Sequence, residues 1–428
     1  MRVVENFKGL GGCSIPLVSA RRETVSCVGS VVRFRSEFSI LPFFFLPHCS
    51  FDRLRNSVTA LFLSNGGYEM IRRAAVVFCL LALAGAGSLH GQAKRKVIVD
   101  QDARGPATTD QQSMLALIQA PQAEVLGLTI VSGDQWRDEE VAHTLRMLEL
   151  TNHPEIKVYP GAIFPLINSK EEIARWSRLY GKVRYQGAWT KNGTGKFVGE
   201  VHGPYEVPDL PEGNPTRKAE EEGAAHFIIR MVHKYPHEVT IYAGGPLTNI
   251  ALALMLDPKV AELAQELVVM GGSISPEVPL AWKTENRREF NFWWDPEAVH
   301  IVMRAPWKKI TVTTVDISVK TRMTNEMIQK IAGMGTASAA YIGKYSDEEY
   351  LWDELAAVAW LDPGVITKEV SLYMDMDISH TAGYGNTLVW TAEERPGMGE
   401  ALVHVQTELD NERFVRLLSQ LLAGTAGR

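Results

Sequence analysis

Residues 97–110 read VIVDQDARGPATTD, and QQSMLAL follows directly. A short apolar run ends in Asp100 and Asp102. A turn of Gly, Pro and Thr intervenes, and Asp110 then opens an apolar helical pattern. Carboxylates placed there have three available uses: capping a helix, binding a phosphate through a metal, or holding a cation directly. A phosphate loop requires GxxxxGK[ST] or GxGxxG spacing, which the stretch lacks, and three acids would repel the phosphate. Capping by Thr109 or Asp110 explains one acid at most. It leaves Asp100 and Asp102 at a strand end, where burying charge is costly unless it is paired. Several carboxylates meeting at one point call for a cation. Oxygen ligands without His or Cys favour calcium or magnesium over zinc.

Working outward, short apolar strands alternate with longer amphipathic helices. EVLGLTIVSG (124–133), IKVYPG (156–161), EVTIYAGG (238–245) and ELVVMGG (266–272) read as strands. DEEVAHTLRMLEL, AAHFIIRMVHKYP and PLTNIALALML read as helices between or after them. This alternation predicts an α/β domain, a mostly parallel open sheet with helices on both faces and a Rossmann-like core. Ligands of such sheets bind beyond the carboxyl ends of the strands. There the chain places Asp100, Asp102, Asp134 and the segment Gly244–Asn249. The polar, Gly/Pro-rich stretch 168–217 is long for a connection and is expected to cover the site. Asp375 and Asp377 alternate as a solvent-facing strand side would, and Asp295-Pro296 reads as a helix start.

Composition is that of an ordinary globular protein: 428 residues, 46% hydrophobic and 22% charged. A net charge of −6 argues against a nucleic-acid-binding surface. Cys13, Cys27, Cys49 and Cys79 all precede residue 80, so the remainder holds no disulfide or thiolate metal site. The segment 70–93, MIRRAAVVFCLLALAGAGSLHGQA, has a basic start, an apolar run and small residues before Ala93. That is the layout of a secretory signal peptide, too short for a span of roughly 20 residues. Residues 1–69 show no sustained period and are expected to be a disordered, non-native extension, with Met70 the true start. The expectation is an exported, periplasmic or secreted protein with one domain over 94–428 and no membrane span after cleavage.

Read with its later segments, the chain resembles the inosine-uridine-preferring nucleoside hydrolases. The resemblance rests on DQDARGPATTD, EVLGLTIVSGD, VYPGAIFPL, VTIYAGGPLTNIALAL, LVVMGG, EFNFWWDPEAVHIV and LWDELAAVAWLDP, in order over most of 95–365. It implies a calcium ion held by Asp102, Asp110, the Thr248 carbonyl and Asp353, with Asp102 also the general base. Glu289 and Asn291 would grip the ribose, with Asp134 at a position usually filled by Asn. The implied reaction is hydrolysis of an N-glycosidic bond through an oxocarbenium-like sugar. The implied partner is a small nucleoside or N-riboside, and the chain is compatible with a homo-oligomer.

Two positions depart from the family pattern. Its Asp-Asp pair is Thr109-Asp110 here, after a turn about three residues longer by alignment on the downstream segments. Thr109 is a neutral and weaker acceptor for a ribose hydroxyl. Trp352 stands where some members carry a His that protonates the leaving base. A Trp there either packs in the core or stacks on a flat leaving group, worth roughly 0.5–1.5 kcal/mol. Two rivals follow: hydrolysis of a nicotinamide or modified N-riboside, and an exported nucleoside- or ribose-binding protein without turnover.

Overall fold

A computed structural model describes residues 93–191, 197, 199–274 and 288–426. The expected leader and the extension before it fall outside these residues.

The sheet has nine strands. They are β1 (Arg95–Gln101), β2 (Ala123–Ile130), β3 (Val158–Pro160), β4 (Val239–Ala243), β5 (Glu266–Met270), β6 (Ile310–Thr313), β7 (Ile366–Met376), β8 (Thr387–Trp390) and β9 (Ala401–Leu409). Their order is β3-β2-β1-β4-β5-β6-β9-β7-β8. All pairings from β3 to β9 are parallel, and β7 runs antiparallel to both β9 and β8. The mostly parallel sheet is therefore as expected, with an antiparallel pair closing one edge.

β1 shows why its apolar run is continuous. Val97 and Val99 enter one core and Ile98 the other, all fully buried. The Val97 face is covered by α1 (Thr109–Ile118), and the Ile98 face by α4 (Ala224–Lys234), α5 (Thr248–Leu256) and α7 (Pro296–Met303). Further along the chain, α8 (Asn325–Ala332), α9 (Ala337–Tyr345), α10 (Asp353–Leu361) and α11 (Asn411–Leu422) join α1. Because β2 and β4 flank β1 on opposite sides, the chain reverses its winding at β1. A crevice opens beyond the carboxyl end of that strand.

The stretch after β3 folds back over this crevice. Its helix α3 (Lys170–Tyr180) is capped by Ser169, whose hydroxyl accepts from the Glu172 N–H at 3.2 Å. The turn Gly187–Trp189 then returns to β2, with the Ala188 N–H donating to the Gly133 carbonyl at 3.0 Å. An aromatic cluster of Trp136, Trp176, Trp189, Trp293 and Trp294 holds it, with Trp189 and Trp294 stacked at 4.1 Å. His202 pairs with Glu139 at 2.8 Å, and His143 with Glu212. Both bonds fasten the described part of the excursion to α2 (Arg137–Leu150), and Tyr185 within it reaches Asp134 beyond the end of β2.

One strand reading is corrected. Asp375 is buried at 4% exposure, bonded to His300 at 2.7 Å and Arg304 at 2.8 Å. His300 of α7 and Arg304 at its C-cap cover a strand face that alternation alone assigns to solvent.

Candidate active site

Asp102 leaves the end of β1 into a space shaped by two glycines. A Cβ on Gly133 would lie 2.1 Å from Asp102 Oδ2, and one on Gly245 would lie 2.6 Å from the Asp102 nitrogen. Only bare backbone lets the ends of β2 and β4 close on this residue. The Asp134 N–H donates to Asp102 Oδ2 at 3.0 Å.

Asp110 comes from the first turn of α1. The helix is capped at Thr108, so neither Thr109 nor Asp110 is the N-cap, and the Asp110 carboxylate is free for another task. Thr108 Oγ1 donates to it at 3.0 Å. Asp353 opens α10 and likewise does not cap it. Its carbonyl accepts from the Tyr242 hydroxyl at 2.8 Å, and its Oδ1 is buried without a partner. Packing of α1 against α10 brings Asp110 and Asp353 together, and their carboxyls share a hydrogen bond.

Electrostatics explain that sharing. Burial raises the pKa of Asp102, Asp110 and Asp353 well above the usual range, and neighbouring acids, Asp134 among them, raise each further. Glu140 and Glu354 are buried beside them and raised for the same first reason. Among the described residues no three His, Cys, Asp or Glu side chains stand in ready ligand geometry. A proton held between Asp110 and Asp353 would offset their repulsion. A hard cation would do the same for the whole group. The oxygen-only donor set and the orphaned Asp353 Oδ1 fit one.

Thr248 lies at the same edge, 1% exposed, opening α5 with its hydroxyl donating to Asp295 at 2.7 Å. Asp295 caps α7, accepting from the Ala298 N–H at 3.1 Å, which is the structural role expected of it. Asp100 supports the edge from behind. It accepts from Asn249 at 2.8 Å and from Thr129, and burial pushes it up to about 7.

Glu289 and Asn291 reach the site from α6 (Phe290–Trp294), whose N-cap is Glu289. The Glu289 carboxylate accepts from the N–H groups of Gly272, Asn291 and Phe292 at 2.9, 2.9 and 3.1 Å. Asn291 Nδ2 donates inward to the Gly244 carbonyl at 2.6 Å. Trp352 is half-buried against the core and tilts on Tyr350 with ring centroids 5.1 Å apart. Thr109 turns inward, donating to Glu354 Oε2 at 2.6 Å and accepting from the Asp353 N–H at 3.2 Å.

The structure adds residues the sequence reading passed over. Arg104, from the lengthened turn, lies 3.9 Å from the Asp134 carboxylate. Burial opposes its charge, but Tyr185, Asp134, Glu349 and Asp110 outweigh that effect and raise its pKa. Tyr185 arrives from the excursion, its hydroxyl beside Asp134. The one signal for Arg104 was a charged residue inside a turn of small ones.

Residues 97–416 match the inosine-uridine preferring nucleoside hydrolase family. The chain is 30% identical to uridine nucleosidase 1 of Arabidopsis thaliana over 54% of its own length and 59% of that protein. It is 25% identical to an inosine-uridine preferring nucleoside hydrolase of Leishmania major over 74% of its own length and 94% of the relative. In structure it resembles a purine-preferring ribonucleoside hydrolase from Gardnerella vaginalis. The TM-score is 0.61 at 23% identity, covering 77% of this chain and 99% of that one. The chain therefore belongs to the inosine-uridine preferring nucleoside hydrolases, a family of N-glycosyl hydrolases.

Proposed function

We propose that the protein is an exported, calcium-dependent N-ribohydrolase that converts a ribonucleoside and water to free base and ribose. One observation carries this reading: Asp102, Asp110 and Asp353 converge, buried and mutually repelling, with Asp353 Oδ1 unpartnered. Asp102, Asp110, Asp353 and the Thr248 carbonyl would hold the calcium. Bound there, calcium supplies charge to keep the carboxylates ionised and makes water more acidic.

Asp102 then takes a proton from the attacking water. The Asp134 N–H, bonded to Oδ2 at 3.0 Å, orients the Asp102 carboxylate for that transfer. Attack on the anomeric carbon breaks the C–N bond, and its electrons leave on the base. Anionic oxygens around the sugar stabilise the positive charge it develops. The excursion over the crevice excludes bulk water and fixes the sugar between opposing walls.

Trp352 favours a second reading of the substrate. A Trp supplies no usable proton, and a cationic N-riboside of the nicotinamide kind departs as a neutral base without one. Reducing-sugar release should therefore be measured on neutral and cationic ribosides, with and without chelator. Release that stops on chelation and returns with calcium is expected. Release from none, alongside tight nucleoside binding, overturns the enzymatic reading. Export rests on the 70–93 layout, and N-terminal sequencing of the natural product tests it.

A further inference from the structure

A cavity of about 380 Å³ lies on the sheet face that α10 covers, toward the amino ends of β1, β5 and β6. Val268 of β5 packs in the core with α10, and Thr311 of β6 is its register partner. Partners in a ladder share a face, so the Thr311 side chain points the same way and lines the cavity. Thr311 is 7% exposed, and its Oγ1 has no hydrogen-bond partner. A buried hydroxyl in that state costs free energy until some group answers it. Beside it, Gln406 accepts from the Thr313 hydroxyl at 2.7 Å through Oε1, which leaves its amide N–H groups as the remaining end.

The charges around this cavity are unevenly answered. Glu266 accepts from Trp360 Nε1 at 2.9 Å, Lys309 Nζ at 3.2 Å and the Thr240 hydroxyl at 3.3 Å. Glu369 is paired with His404 at 3.1 Å, and Lys368 with Glu408 at 3.2 Å. Arg95 differs. Its guanidinium lies over the Trp360 ring at 4.1 Å, and Nη2 donates to the Trp360 and Leu361 carbonyls at 2.7 and 3.1 Å. Those bonds close the carboxyl end of α10 and leave Nε and Nη1 for another acceptor. Burial pulls the Arg95 pKa down, and the attraction of Glu266 only partly offsets it. The cavity thus holds an underpaired guanidinium, an orphaned hydroxyl and an amide, while its carboxylates are already taken.

We propose that this cavity is a second binding site, for a small oxyanion of phosphate or carboxylate type, held by Arg95, Thr311 and the Gln406 amide. An anion accepts from all three, and its charge answers the guanidinium where the protein does not. A cationic ligand fits less well, because the carboxylates that would receive it already have donors. The site is distinct from the crevice. Arg95 opens β1 and Trp360 lies at the end of α10, whereas Asp102 follows the other end of β1 and Asp353 opens α10. Occupancy here is therefore independent of what the crevice hydrolyses.

Inorganic phosphate and acetate, each titrated into the whole protein by calorimetry at fixed ionic strength, test the site, with chloride as the reference. No calcium is added, since phosphate would precipitate it. Wild type should bind one equivalent of at least one of the two, with a Kd of about 1 mM or tighter. Thr311→Val, which keeps the side-chain shape and removes only the hydroxyl, should weaken binding about five- to tenfold. Arg95→Gln should weaken it about tenfold or more. Asp353→Asn, in the crevice, should bind as wild type does. Phosphate binding alone assigns the site to phosphate-bearing ligands, and acetate binding alone assigns it to carboxylates. Binding of neither anion up to about 10 mM would overturn the proposal. So would wild-type affinity in both Thr311→Val and Arg95→Gln, or loss in Asp353→Asn alone, which would put the anion in the crevice. Should Arg95→Gln fail to fold, Thr311→Val decides by itself.

Discussion

Two groups of buried carboxylates lie side by side at the carboxyl edge of the sheet, and they meet the cost of burial in opposite ways. Glu289 and Asp295 are answered by the protein itself: three N–H groups for the first, two N–H groups and the Thr248 hydroxyl for the second. Asp102, Asp110 and Asp353 raise the cost of one another's charge instead, and one Asp353 oxygen is left unpartnered. The first pair organises backbone. The second arrangement is costly unless something positive enters it. Burial and residue type are alike in both groups, so neither property identifies the chemical site. The distribution of donors does.

The largest expected effect is on turnover. Asp102→Asn should keep the fold and lower kcat by about 10²–10⁴-fold, the usual worth of a general base. Near-native rates would remove Asp102 from that role. Next comes the contrast itself. Asp110→Asn should weaken calcium binding yet raise the thermal midpoint in chelator at pH 8, because it relieves repulsion. Asp295→Ala should lower the midpoint, costing about 1–3 kcal/mol through unsatisfied N–H groups. If both variants destabilise the chelated protein alike, the two groups are not different in kind.

A smaller effect follows from pH. Burial first, then Asp134, lifts Glu289 from 4.5 to about 7 against the pull of its backbone donors. The folded chain holds that proton more tightly than the unfolded chain does. Its contribution is therefore full below pH 4.5 and is lost as pH rises through 7. Thermal midpoints in chelator should fall across this window, and less steeply in Glu289→Gln. Identical slopes would assign the decline to other groups. Smallest is Trp352→Ala, where a two- to tenfold rise in KM is about what lost stacking brings. An unchanged KM would mark Trp352 as packing only.

Much of the fold was legible because burial writes itself into period. The run Val97–Val99 is apolar throughout because successive residues enter opposite cores. Asp102 and Asp110 could be read as site residues because neither polarity nor period explains acids at a strand end. Arg104 and Tyr185 could not. The turn holding Arg104 places Ala107 at φ 54°, a local path that no periodicity encodes. Tyr185 belongs to an irregular excursion whose return to Gly133 is decided by aromatic packing far along the chain. Asp375 was misread for a related reason. Alternation tells which residues share a strand face, and only the position of α7 tells what covers it.

The close approach of Gly133 and Gly245 to Asp102 has an entropic meaning. Two backbones crowd the carboxylate, and the Asp134 N–H bonded to Oδ2 orients it. The freedom of the base is thus surrendered when the chain folds rather than at each turnover. A mutation that widened either strand end would act on the rate with no change in the identity of the base.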